Sequence, residues 1–105
     1  VGAGFSYDDS GPTHHTTEDI SIMRVIPGIE IYSPSDSIET SKFVDLVHNS
    51  LNPSYIRLDR KVLTPIHNET ENFEKGFKEL REGEKICIIS TGNMVHNCIK
   101  DQWDR

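Results

Sequence analysis

The segment at residues 11–15, Gly-Pro-Thr-His-His, carries the residue types best suited to chemistry in this chain. It lies between a predicted strand end and a predicted helix start, where open α/β sheets bind ligands. Adjacent imidazoles can donate hydrogen bonds to hydroxyls or phosphate, or relay protons near neutral pH. The ordinary alternative is a loop whose Thr13, His14 and His15 side chains cap the helix and face water. A metal site is not predicted, because adjacent histidines diverge and no third ligand follows at helical spacing.

Two further groups of charged residues could contribute to a ligand site. Asp9 belongs to the acidic pair just before the loop, and it could orient a hydroxyl group or stand in a solvated acidic turn. Arg57 and Arg60 stand on either side of Asp59 at the end of a predicted strand. One of the two arginines could bind a phosphate with two parallel hydrogen bonds. The alternative is an ordinary surface ion pair with Asp59.

The elements around the loop must position these residues. Residues 1–5 are predicted to end a strand. Thr16 and Asp19 have the spacing of a capping box for the next helix, and the alternating residues 29–32 predict a short strand. The best helix start lies at residues 34–39, where small polar and acidic residues can accept the free amides of the first turn.

That helix is predicted to continue to Leu51, and residues 54–58 predict the next strand. The order strand, helix, strand, helix, strand predicts a parallel sheet with right-handed crossovers. The fold class is therefore α/β, a parallel sheet with flanking helices that is incomplete in this chain.

The second half of the sequence has a different character. Residues 61–84 are polar and predict a linker, with room for a helical turn or two at 73–80. Residues 85–90 form a continuous apolar run, typical of a central parallel strand. Residues 91–93 predict a turn that could present amides to an anion or serve only as a turn, and a helix is expected from Met94.

Hydrophobic residues make up 34% of the 105 residues, so the core is expected to be thin. Together with the element order, this predicts three parts. They are the C-terminal part of one α/β domain at 1–60, a charged interdomain linker at 61–84 and the start of another α/β domain at 85–105.

Charge and composition exclude several classes of function. The net charge is −6 and no concentrated basic face is visible, so nucleic acid is not a predicted partner. The apolar runs are far shorter than the ~20 residues that span a bilayer, so no membrane partner is predicted. Cys87 and Cys98 are too few for a disulfide framework or a zinc site. Reduced thiols and a cytoplasmic location are expected, because no signal peptide opens the sequence.

The order of motifs resembles the transketolase-like superfamily of thiamine diphosphate enzymes, in particular the pyrimidine-binding domain of the stand-alone C-terminal transketolase subunit. The motifs that carry the resemblance are Gly2-Ala3-Gly4, residues 11–15, Glu18-Asp19, Met23-Arg24, Pro27, residues 33–36, Glu39 and residues 54–60. Residues 82–95 resemble the opening of the family's C-terminal domain. Deoxyxylulose-phosphate synthases and the beta subunits of oxo-acid dehydrogenases are more distant members.

The resemblance implies a transferase of carbohydrate metabolism that moves a two-carbon ketol unit between phosphosugars. It implies that His14 contacts the donor sugar in the substrate channel and is the catalytic residue of this segment. His15 corresponds to a position that varies between branches of the family. Arg60 corresponds to the arginine that binds the substrate phosphate. Ser10 stands where many transketolases have an aspartate that reads a sugar hydroxyl, with Asp9 one residue earlier.

The resemblance also implies thiamine diphosphate with a divalent metal, expected to be Mg²⁺, in the full enzyme. No cofactor-binding or metal-binding residue is predicted in this chain, and the chain alone is not expected to be active. The diphosphate site is expected in remaining domains or in a separate N-terminal subunit, within a dimer or a hetero-oligomer. Two alternatives remain open: a non-catalytic remnant or subunit-docking module of the same fold, and a beta-type subunit of an oxo-acid dehydrogenase.

Overall fold

The computed structural model of the chain describes residues 2–100. Two 3₁₀ turns, Asp8–Ser10 and Pro12–His14, are followed by α1 (Asp19–Met23), β1 (Glu30–Tyr32), α2 (Ser37–Asn49), β2 (Ser54–Ile56) and α3 (Met94–Lys100). Val1 and residues 101–105, to which the predicted first strand and the predicted second domain extend, lie outside the described residues. Within the described range, no helix is long and apolar enough to cross a membrane.

The sheet consists of β1 and β2, which run parallel with Ile31 opposite Tyr55. Hydrogen bonds continue the pairing at both ends, from the Glu30 amide to the Pro53 carbonyl at 2.9 Å and from the Arg57 amide to the Tyr32 carbonyl at 2.8 Å. Parallel strands need a crossover connection, and α2 supplies it. The predicted α/β fold with a parallel sheet and flanking helices is confirmed. The sheet is small, and β2 is shorter than the predicted strand at 54–58.

Helix α2 begins where the sequence predicts, because three side chains satisfy its first turn. Asp36 is the N-cap, with an extended backbone, and its Oδ1 accepts a 2.7 Å hydrogen bond from the Glu39 amide. The Glu39 carboxylate reaches back and accepts from the Ser35 amide at 2.7 Å and from the Ser35 hydroxyl at 2.6 Å. This reciprocal arrangement satisfies donors that a helix start otherwise leaves free.

Asp36 also ties a distant segment to the helix start. Its second oxygen, Oδ2, accepts from the Ile66 amide at 2.7 Å, from the His67 amide at 2.9 Å and from the His67 ring Nδ1 at 3.1 Å. Both Asp36 and His67 are buried. Burial by itself would raise the pKa of Asp36, but the hydrogen bonds from the backbone of Glu39, Ile66 and His67 and from the His67 ring outweigh it and lower the pKa below its ordinary value.

The apolar core is a short row of rings beside this carboxylate. Tyr32 of β1 packs on Phe43 of α2 with ring centroids 5.0 Å apart, and Phe43 meets Phe73 edge-on at 5.8 Å. Phe73 in turn meets the His67 ring edge-on at 5.0 Å. Phe43, Phe73 and Val95 are the buried hydrophobic residues of the described chain. The thin core expected from the composition is what the fold contains.

Two local predictions were wrong. The Thr16–Asp19 capping box does not form, because Glu18 is the N-cap of α1 without a side-chain bond and Asp19 is used in a tertiary contact instead. Residues 2–5 do not belong to a strand of the sheet, and Gly4 forms an isolated antiparallel bridge with Thr16. Within the segment at 73–80, where a helical turn or two was predicted, one turn is closed by a hydrogen bond from the Gly76 amide to the Phe73 carbonyl at 2.9 Å.

The apolar run at 85–90 does not form the predicted strand. A strand requires a neighbour to complete its hydrogen bonds, and no described segment pairs with this one, so Ile86 and Ile89 remain 74% and 90% exposed. Helix α3 does begin at the predicted Met94. In the turn before it, the Gly92 amide is not free for an anion, since it donates to the Ser33 carbonyl at 3.1 Å. The division into parts at 1–60, 61–84 and 85–105 stays a prediction.

We expect Asp36→Ala to lower the free energy of unfolding of the full-length protein by roughly 3–5 kcal/mol, because the four donors that this buried carboxylate satisfies lose their acceptor. The measurement is urea unfolding. Asp45→Ala is the matched control, since Asp45 lies exposed on the same helix and should change stability by no more than about 0.5 kcal/mol. Equal effects of the two substitutions would contradict the role given to Asp36.

Acid should remove the same contribution. The pKa of Asp36 in the folded chain lies below the unfolded value of about 3.9, so its stabilising effect is complete above about pH 5 and is lost as the pH falls through the folded-state pKa. Thermal melting between pH 6 and pH 2 should therefore show a steep loss in the native protein and a shallower one in Asp36→Asn. Parallel curves for the two proteins would show that another group controls the acid transition.

Candidate functional site

The Gly-Pro-Thr-His-His segment forms the second of two consecutive 3₁₀ turns. The first turn is closed by the Ser10 amide and the Tyr7 carbonyl at 3.1 Å, and the second by the His14 amide and the Gly11 carbonyl at 3.0 Å. Gly11 joins the turns with a φ of +78°, a conformation that residues with a side chain rarely adopt. The glycine of the motif is therefore favoured by the backbone conformation at this position.

Backbone hydrogen bonds hold both ends of this loop. The Gly4 and Thr16 amides exchange bonds with each other's carbonyls at 3.0 and 2.9 Å, which closes the loop at its base. The amides of Gly2 and Ala3 both donate to the Leu58 carbonyl, at 2.9 and 3.1 Å. Because Leu58 follows β2, these bonds fix residues 11–15, here called the histidine loop, beside the chain that follows β2.

A largely buried ion pair completes the attachment. Asp19 Oδ2 accepts from Arg57 Nε at 2.7 Å and from the Tyr55 hydroxyl at 3.0 Å, and Arg57 Nη2 donates to the Thr16 carbonyl at 3.1 Å. Burial opposes the charged form of Asp19, yet the hydrogen bonds from Arg57 and Tyr55 and the charge of Arg57 outweigh it and lower its pKa. Burial and the bond to Asp19 raise the pKa of Tyr55, which keeps its hydroxyl protonated as a donor.

Arg57 is therefore used inside the fold, where its ion-pair partner is Asp19 and not Asp59, the partner that the sequence left open as an alternative. Asp59 instead accepts hydrogen bonds from the Asn93 side chain and, at 2.8 Å, from the Lys61 amide. Arg60 is exposed, and among residues 2–100 it makes no ion pair. Of the two candidate arginines, Arg60 is thus the one whose guanidinium N–H groups remain available to an anion.

The structure brings His14 and Arg60 together on the ring of Tyr7. The Arg60 Cζ atom lies 4.7 Å from the centroid of that ring, within cation–π range. The His14 ring lies 5.9 Å from it, tilted by 55°. His14 is exposed, and its Nδ1 is hydrogen-bonded to the Thr13 hydroxyl at 3.0 Å. The imidazole is thereby oriented by its own loop.

Sequence reasoning missed Tyr7. Its aromatic ring stands beside the acidic pair, but only knowledge that the end of β2 returns to the loop would have marked it as a contact of Arg60. The nearest signal in the sequence is Gly2, whose lack of a side chain leaves space for the ring: a Cβ there would lie 2.5 Å from Tyr7 Cε2.

The other predicted site residues lie in the same loop with different surroundings. The half-buried His15 ring meets Phe5 edge-on at 4.8 Å, and its Nε2 is buried without a hydrogen-bond partner in the described part of the chain. Asp9 and Ser10 are exposed in the first turn, and neither side chain hydrogen-bonds to another described residue. Their roles toward a ligand stay predictions.

Two surface depressions lie away from this loop in the sequence. One of about 740 Å³ and one of about 290 Å³ are lined by residues 68–79 and by Lys42, Asp45 and Leu46 of α2, well apart in sequence from the loop. They are open and lined largely by charged and amide side chains. Among residues 2–100, no group of three or more His, Cys, Asp or Glu side chains is arranged as a metal site.

Comparison with known proteins shows which family the chain resembles. Residues 1–65 match the transketolase pyrimidine-binding domain. The chain is 37% identical over 100 residues to an apulose-4-phosphate transketolase subunit from Actinobacillus succinogenes, covering 94% of this chain and 32% of the relative. It is 39% identical to a 6-deoxy-6-sulfo-D-fructose transketolase subunit from a Clostridium species, covering 88% of this chain and 29% of the relative. Human transketolase is 27% identical, with 91% of this chain and 16% of that protein covered.

The chain spans about a third of the length of the first curated relatives it matches. The matched domain covers the histidine loop, α2 and the end of β2, which are the elements that the structure joins around His14 and Arg60. This chain belongs to the transketolase pyrimidine-binding domain family.

Proposed function

We propose that the chain is the substrate-side segment of a transketolase-type transferase that moves a two-carbon ketol unit between phosphosugars. The observation that carries the proposal is the meeting of His14 and Arg60 on Tyr7, at an exposed surface of a pyrimidine-binding domain. One group suits a sugar hydroxyl and the other suits a phosphate. In support of the proposal, relatives are named as transketolase subunits, among them the apulose-4-phosphate and 6-deoxy-6-sulfo-D-fructose transketolase subunits.

His14 is assigned to the oxygen atoms of the donor sugar near the reacting carbons. Its Nδ1 is engaged by Thr13, so Nε2 is the ring atom that can face a ligand. An imidazole in this position can donate to or accept from a hydroxyl and can pass a proton at neutral pH. Asp9, Ser10 and His15, which share the loop, are proposed as further substrate contacts.

Arg60 is assigned to the phosphate at the other end of the sugar. A planar guanidinium with free N–H groups matches phosphate oxygens in a two-bond arrangement and keeps its charge at every working pH. The distance along the sugar between reacting carbons and phosphate requires two separate contact groups. His14 and Arg60, which both contact the Tyr7 ring, are the two groups proposed for these contacts.

The cofactor is proposed to be held outside this segment. A Mg²⁺ ion calls for oxygen ligands such as carboxylates and amide carbonyls, and the imidazole and guanidinium of this site do not supply them. Thiamine diphosphate, when bound, would supply a carbon nucleophile for ketol transfer. We assign it and a Mg²⁺ ion to a partner subunit or to further domains, in line with relatives named as subunits. Dimeric assembly and a cytoplasmic location belong to the same proposal.

His14→Ala is expected to lower kcat/KM for a ketose phosphate by about 5- to 100-fold, the effect of losing one buried hydrogen bond to substrate. The assay uses the full-length protein assembled with its partner and cofactor, with apulose 4-phosphate as the first donor tested. His48→Ala removes an exposed histidine of α2 and should leave kinetics unchanged.

The same assay separates the open alternatives. Unchanged turnover in His14→Ala would overturn the assignment of this residue. No turnover in the native assembly, with partner binding intact, would favour a docking module. Turnover of an oxo acid in place of a ketose phosphate would favour the dehydrogenase alternative.

Arg60→Met is expected to raise KM for a ketose phosphate by about 10- to 100-fold, because a hydrogen-bonded contact to a charged group is lost far from the reacting carbon. The KM of the matching unphosphorylated ketose should not change. Lys61→Met removes an adjacent exposed charge and serves as the control for general electrostatic effects. An equal rise in KM for both sugars would contradict a phosphate-binding role.

A further inference from the structure

We propose that Tyr7 is a positioning residue that holds the Arg60 guanidinium for anion binding, and so contributes to selectivity for phosphorylated substrate. The inference rests on the proposed function of Arg60 and adds to it a residue that no motif of the sequence marked. The juxtaposition behind it is the Arg60 Cζ atom at 4.7 Å from the Tyr7 ring centroid, with the His14 ring at 5.9 Å from the same ring.

The Tyr7 ring is itself held in place. Gly2, with a φ of +91°, brings bare backbone against the ring, so that a Cβ there would lie 2.5 Å from Cε2 and 2.8 Å from Cδ2. The buried Ser6 fixes the backbone just before Tyr7, because its amide and hydroxyl donate to the Ala3 carbonyl at 3.1 and 2.6 Å. The Tyr7 carbonyl accepts from the Ser10 amide at 3.1 Å.

The support also connects to the chain that carries Arg60. Gly2 and Ala3 donate to the carbonyl of Leu58, two residues before Arg60. The ring and the guanidinium are therefore attached to a shared piece of backbone at short range. The hydrogen bonds from Gly2 and Ala3 to Leu58 hold the backbone segments that carry Tyr7 and Arg60 close together.

A ring in this place affects binding through the freedom of the arginine. An exposed Arg side chain carries about 2 kcal/mol of rotamer entropy, part of which is lost when it binds an anion. A guanidinium held over an aromatic ring by cation–π attraction has already lost some of that freedom before an anion binds. In the described chain, Arg60 has no carboxylate partner that could perform this function in place of Tyr7.

The test is a double-mutant cycle between Tyr7→Leu and Arg60→Met in the full-length holoenzyme assembled with its partner. Tyr7→Leu should raise KM for a ketose phosphate by about 2- to 5-fold, the size of an exposed cation–π contact, with kcat unchanged. Tyr7→Phe keeps the ring and should behave as the native protein. Phe77→Leu, at an exposed aromatic residue far along the chain, is the matched control.

In the Arg60→Met background, Tyr7→Leu should have no further effect on KM, because the partner it positions is gone. An equal effect in both backgrounds would overturn the inference, and so would Tyr7→Phe behaving like Tyr7→Leu. Inorganic phosphate provides a second readout as a competitive inhibitor: its inhibition constant should rise in Tyr7→Leu and Arg60→Met alike. Where Tyr7→Leu lowers the melting temperature, Tyr7→Met replaces it in the cycle.

The cycle also separates this inference from the proposed function. If Arg60→Met leaves KM for the ketose phosphate unchanged, the phosphate role of Arg60 is wrong and both proposals fail. If Arg60→Met raises KM while neither Tyr7→Leu nor Tyr7→Met does, Arg60 binds phosphate without help from the ring, and only the present inference is overturned.

Discussion

The fold depends most on one buried carboxylate, that of Asp36. One of its oxygens caps α2, and the other accepts three hydrogen bonds from Ile66 and His67. A desolvated charge of this kind is costly unless each of its oxygens is satisfied. The start of α2 and the segment at 66–67 are therefore joined at this carboxylate. The aromatic row through Phe43 and Phe73 packs next to this point.

The carboxylate of Asp19 attaches the histidine loop to the rest of the fold in a similar way. It gathers Arg57 and Tyr55 from the end of β2, and Arg57 reaches on to the carbonyl of Thr16 at the base of the loop. Few apolar side chains are buried in the described chain. The hydrogen-bonded carboxylates of Asp19 and Asp36 therefore fix the relative positions of segments that a larger apolar core would otherwise hold. Asp19 thus supports the loop that carries the candidate site, and Asp36 supports the crossover helix α2.

The sequence predicted what is determined locally. The start of α2 was predictable because its capping residues lie within one turn of each other, and the parallel sheet followed from the order of elements. Asp19 was misassigned because a local capping signal competes with a tertiary ion pair, and the buried pair prevailed. The run at 85–90 has strong strand composition, yet pairing is a property of two segments and cannot be predicted from one. His14 and Arg60 were predicted from residue type and resemblance, whereas Tyr7 became visible only through three-dimensional proximity.

The two arginines after β2 show why residue type alone does not define a site. Arg57 and Arg60 are three positions apart and chemically identical, yet one is half-buried, with hydrogen bonds to a carboxylate and a carbonyl, and the other is exposed on an aromatic ring. Binding an anion with Arg57 would require giving up the ion pair that holds the histidine loop, so the gain at the ligand would be offset by a loss in the fold. Arg60 carries no such cost. The same residue type therefore has two roles at two positions: Arg57 stabilises the fold, and Arg60 is left free to bind an anion.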